Sequence, residues 1–156
     1  MTLMPKAKSK LAIDICDDSG AINFDEDLLR QAAQAILSDA GVKSGSLSIA
    51  VVDDATIHEL NKQYLQHDYP TDVLSFVLER EADRLEGEVI VSADTAIRTA
   101  AQLNWPAAHE LLLYVIHGTL HLVGYDDLEP ELQKKMREQE RSYLLRFGLT
   151  PPDAQA

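Results

Sequence analysis

From Lys10 to Cys16 apolar and polar positions alternate, with Leu11, Ile13 and Ile15 on one side, which predicts a first strand. The period then changes. Leu28, Leu29, Ala32, Ala33, Ile36 and Leu37 fall on one stripe of a helix from about Glu26 to Ala40, with Asp25 as its cap and Gly41 where a left-handed stop is wanted. Leu47 to Val52, rich in β-formers, predicts a second strand. Asp53 or Asp54 starts a second helix carrying Ile57, Leu60 and Tyr64 at helical spacing. Pro70 breaks that pattern, and Val73 to Phe76 resumes as a short buried strand. The charged stretch Glu79 to Glu86 reads as a loop or hairpin connection, and Glu88 to Val91 as a strand entered from Gly87.

Asp94 to Leu103 is an amphipathic helical pattern. Pro106 suits the first turn of a helix reaching to about Leu122. That helix is apolar nearly all round, through Leu111, Leu112, Leu113, Val115, Ile116 and Leu120, so it belongs at the centre of the domain. Gly124 ends it. A last helix runs from about Pro130 to Phe147, and Gly148, Pro151 and Pro152 close the ordered part. The sum is an α+β fold: one domain over residues 1–150, a small mixed sheet with about five helices, and a frayed tail from Asp153 to Ala156.

Length and composition narrow the class without naming a function. A chain of 156 residues with 46% apolar content fits one globular domain. The longest apolar run, Leu111 to Ile116, falls far short of a bilayer span, so no membrane partner is expected. Lys6, Lys8 and Lys10 are not followed by the apolar stretch of a secretory signal. Cys16 is the single cysteine, which excludes an internal disulfide and makes a reducing, cytoplasmic location the default. The net charge of −12 opposes nucleic-acid binding on average. Lys134, Lys135, Arg137, Arg141 and Arg146 form the richest basic stretch. A solvated face of mixed charge is its plainer reading and an RNA patch the functional one.

The candidate chemistry lies on the central helix. His117 and His121 are four residues apart, so their imidazoles share one face and offer two nitrogen donors to one ion. A single histidine on an apolar face is more often a hydrogen-bonded core residue. Here a glycine turn and two aspartates follow, and burying two imidazoles in so apolar a helix without a shared partner would be costly. Asp127 falls where metzincin peptidases place a third ligand, ten residues after the first histidine. Gly118 stands where zinc peptidases of the H-E-x-x-H type carry their general base, which argues against a peptidase.

The run HGTLHLVGYDDLEP, His117 to Pro130, resembles the HGxLHLxGYDH signature of the YbeY family of rRNA-maturation endoribonucleases. LNKQYLQHDYPTDVLSF, Leu60 to Phe76, is similar to a second signature of that family, and GEVIVSADTA, Gly87 to Ala96, to a third. Met136 and Glu140 agree with its last helix. The resemblance implies a single-strand-preferring, metal-dependent endoribonuclease acting in 16S rRNA maturation and small-subunit quality control. It implies one Zn²⁺ per chain held by His117, His121 and Asp127, with rRNA, small-subunit components and an Era-type GTPase as partners. The rival readings are a non-catalytic assembly factor with a structural metal and a metal-dependent hydrolase of another substrate.

Two departures from the family pattern matter. Asp127 stands where the family usually has a third histidine. An oxygen ligand there weakens the ion as a Lewis acid, and Asp126 is an alternative ligand or a supporting group. Leu65 follows Tyr64 where the family typically has an arginine suited to grip phosphate. Lys62 or His67 are the candidates to replace it, Lys62 reading more simply as a surface residue. Asp68 and Asp72 flank the Pro70 turn as turn residues or cleft residues. Ser75, also a candidate cleft residue, has no base nearby in sequence that would make it a nucleophile. His58 and His109 read as surface or helix-end histidines, and Trp105 as a packing residue.

Overall fold

The structure is a computed structural model that describes residues 10–152, so the expected frayed tail from Asp153, together with Lys6 and Lys8, lies outside the described residues. The order of elements is β1 (Leu11–Asp17), α1 (Glu26–Asp39), β2 (Ser44–Val52), α2 (Asp54–Leu65), β3 (Val73–Glu81), β4 (Arg84–Ser92), α3 (Ala93–Leu103), α4 (Ala107–Leu122) and α5 (Pro130–Arg146). The four strands form one mixed sheet in the order β1-β2-β4-β3, with β1, β2 and β4 parallel and β3 antiparallel to β4. This is the α+β domain with a mixed sheet and five helices that the sequence predicts.

The two faces of the sheet follow from alternation along β2 and β4. Leu47, Ile49 and Val51 with Leu85, Val89 and Val91 point into the main core, where α1 and α4 pack. Val52 and Ile90 point the other way, onto Ile57 of α2 and Leu74. Helix α4 is central because it is apolar on nearly every side: Leu111, Leu112, Val115, Ile116 and Leu120 are all buried. Its last two turns reach an edge where polar side chains meet solvent, and these carry the two histidines.

Several boundaries differ from the sequence reading. The stretch Glu79–Glu86 is mostly strand rather than connection: β3 runs to Glu81, β4 begins at Arg84, and the hairpin turns through Ala82, at φ 51°, and Asp83. Its charged side chains suit an exposed edge strand. Pro106 caps α4 instead of entering its first turn. Asp53 caps α2, accepting from the Thr56 amide at 2.8 Å. Asp54 instead ties α2 to α3, accepting from Ser92 Oγ at 2.6 Å, Thr95 Oγ1 at 3.0 Å and Arg98 Nη1 at 2.8 Å. Those bonds outweigh the cost of burial and hold its carboxyl below the ordinary range.

Gly118 has a steric role. A Cβ there would lie 2.7 Å from Val89 Cγ1, 2.9 Å from Val73 Cγ2 and 3.0 Å from Ser75 Oγ, so only glycine lets α4 sit this close to β3 and β4. Gly118→Ala is expected to destabilise the protein by about 1–3 kcal/mol through overpacking, read as a lowered urea midpoint at unchanged slope. An unchanged midpoint would mean that the helix is free to shift away from the sheet.

Candidate metal centre

Helix α4 presents His117 and His121 on one face, their ring centroids 4.7 Å apart and the planes at 77°. The chain then reverses. Tyr125 donates its amide to the Leu120 carbonyl and Gly124 to that of His121, with Gly124 at φ 107°, a conformation that glycine adopts without strain. The turn carries Asp127 back over the pair, with Oδ2 3.5 Å from His117 Nε2 and Oδ1 3.7 Å from His121 Nε2. Among the described residues these three form the one cluster able to hold a metal, with one donor atom from each within 4.8 Å of the others.

The donor set fits a zinc-class ion. Two imidazole nitrogens and one carboxylate oxygen are a common ligand set for such an ion and leave a fourth position open. The far side of His117 is also fixed: its Nδ1 lies 2.6 Å from Glu140 Oε2 on α5, so the ring donates to the carboxylate and turns Nε2 toward Asp127. Burial disfavours a charged His117 ring, but the Glu140 carboxylate, helped by the negative charges of Asp72 and Asp127, outweighs that and raises its pKa. Asp126 is oriented elsewhere. Its Oδ1 accepts from the amides of Asp127, at 2.6 Å, and Leu128, at 3.2 Å, bracing the turn that delivers its neighbour.

The ligand face opens into two cavities that share His117, Asp127 and Asp72. One, of about 310 Å³, faces α5 and includes Glu110, Arg137 and Glu140. The other, of about 400 Å³, faces β3 and includes Leu65, Ser75 and His121. Leu65 is 44% exposed on this wall, at the rim of the cavity. Ser75 donates to the Gly118 carbonyl at 2.9 Å, which occupies its hydroxyl in bracing α4.

His67 and Asp68 are not brought to this site. His67 stacks on Tyr69, ring centroids 5.3 Å apart, and Asp68 pairs with His58 at 2.8 Å. Trp105 does more than pack, donating Nε1 to Glu110 at 2.9 Å, and His109 meets its ring edge-on. Glu110 is buried at 3% exposure, and the loss of hydration pushes its carboxyl pKa up. The sequence reading assigned no role to Glu140. The available signal was its position on α5, one turn after buried Met136 and just before buried Tyr143 and Leu144, where a carboxylate faces inward.

Residues 14–148 match the family model described as Endoribonuclease YbeY. A Rhodopirellula baltica protein named Endoribonuclease YbeY is 47% identical over 126 residues, a match covering 80% of this chain and 65% of that one. The Salinibacter ruber protein of that name is 38% identical over 90% of this chain and 93% of its own length. The Bacillus subtilis protein of that name is 33% identical over 89% and 97%. Among solved structures, a solution structure of a Thermotoga maritima protein superposes with a TM-score of 0.58 at 27% identity, covering 86% of this chain and 91% of that one.

Proposed function

The chain belongs to the YbeY family of endoribonucleases, and from that premise we propose that it hydrolyses single-stranded RNA at a metal centre held by His117, His121 and Asp127. The observation that carries this reading is the convergence of both histidine Nε2 atoms on Asp127, with Glu140 behind His117. A zinc-class ion held by His117, His121 and Asp127 would supply Lewis acidity toward water and a phosphoryl oxygen.

The chain's own groups do the rest. Glu140 holds the His117 tautomer, so one nitrogen is free to ligate. Ser75 and Gly118 hold α4 against the sheet and keep the two histidines in register. Asp72 lines both cavities and is the carboxylate we assign to accept a proton there. The domain extends through residue 150 and works in the cytoplasm on rRNA, with small-subunit components and an Era-type GTPase as partners. No helix among the described residues is long and apolar enough to cross a membrane.

The purified protein is expected to cleave a single-stranded oligoribonucleotide, to lose that activity on chelation and to regain it when Zn²⁺ is returned. Undiminished cleavage by thoroughly chelated protein would overturn the reading.

A further inference from the structure

The site is crowded with negative charge. Asp72, Glu110, Asp127 and Glu140 line the cavity facing α5, in a protein of net charge −12. A phosphodiester approaching that cleft meets repulsion unless some fixed cation offsets it. The β3-facing wall offers none, because Leu65 stands at its rim and no Lys or Arg lines that cavity. The α5-facing wall offers one, Arg137.

Arg137 is exposed and has no ion pair among the described residues, whereas Arg30, Arg84, Arg98 and Arg146 are each paired with carboxylates. An adjoining cavity of about 220 Å³ continues along α5, lined by Arg137, Glu140 and Arg141, with Trp105 on the facing wall. Arg141 is likewise unpaired among the described residues and lies one turn on from Arg137. An uncommitted guanidinium at a metal site is suited to a planar, two-point grip on phosphate oxygens.

We propose that Arg137 binds a substrate phosphate in the metal cleft from the α5 side, with Arg141 taking the neighbouring phosphate, so that this chain grips RNA from the wall opposite Leu65. The inference rests on the reading of the site as an RNA-cleaving centre. It accounts for a cleft whose β3 side is apolar at Leu65 in a protein that must still hold a polyanion.

The test measures kcat and KM for a single-stranded oligoribonucleotide with metal-loaded wild type, Arg137→Ala, Arg137→Lys and Lys43→Ala, at several salt concentrations. Lys43 lies on the turn between α1 and β2 and controls for the loss of one positive charge. Arg137→Ala is expected to lower kcat/KM by about tenfold or more and to make its log–log salt dependence shallower by about 0.7, the contribution of one single-strand phosphate contact. Metal content should be unchanged. Arg137→Lys should retain the salt slope, Lys43→Ala should match wild type, and Leu65→Arg added to Arg137→Ala should restore much of the loss. If wild type cleaves RNA while Arg137→Ala behaves like Lys43→Ala, this inference fails and the endoribonuclease reading stands. If metal-loaded wild type neither binds nor cleaves the RNA, both fall.

Discussion

Replacing His121 with alanine is expected to strip the metal from the protein and lower RNA cleavage by about a thousandfold. The Lewis acid contributes several kcal/mol to the stabilisation of developing charge, and each 1.36 kcal/mol is a factor of ten. His121 is the cleaner of the two histidines to remove. Its side chain is 30% exposed and its ion contact is with Asp127 alone. Truncating it leaves no buried group without a partner, so the melting temperature should stay near that of metal-free wild type. His117 is different, since its loss also leaves the Glu140 carboxylate, 16% exposed, without the imidazole it accepts from. Elemental analysis and cleavage assays on the same preparation check the expectation. A His121→Ala protein that keeps its metal would move the ligand assignment away from this helix face.

Glu140→Gln should weaken metal affinity by about 10–100-fold while leaving the fold in place. The substitution keeps the shape of the side chain and removes the charge facing His117 Nδ1, 2.6 Å away. A neutral amide holds the ring less firmly and lowers the basicity of Nε2, the atom turned toward Asp127. Competition against a chromophoric chelator reads the affinity directly. Cleavage should fall in step when metal is limiting and recover in large part when it is saturating. An unchanged affinity would mean that His117 is oriented by helix packing alone.

The central helix and its histidine pair were legible because an apolar stretch interrupted by two imidazoles one turn apart has few other physical explanations. The Gly124 turn and the return of Asp127 could also be read, since glycine marks the reversal and three residues suffice for it. Glu140 was not read as the partner of His117. It lies far along the chain on a helix dense with charge, and only its step from Met136 marks it as inward-facing. Similarly, the extent of β3 and β4 was hidden because their paired ends are charged and the turn at Ala82 and Asp83 contains no glycine. Gly118 was read from sequence as a missing base, whereas its place against Val89 and Val73 depends on a helix–sheet approach that no local pattern records. His67 and Asp68 lie within a stretch similar to a family signature, but the left-handed stop of α2 at Gln66 precedes residues that pair with Tyr69 and His58 instead.

The most direct test of the metal centre is the metal content of the purified protein, measured beside His117→Ala and His121→Ala prepared identically. The account predicts about one zinc-class ion per wild-type chain and a small fraction of that in either variant. Full occupancy in both variants would contradict it.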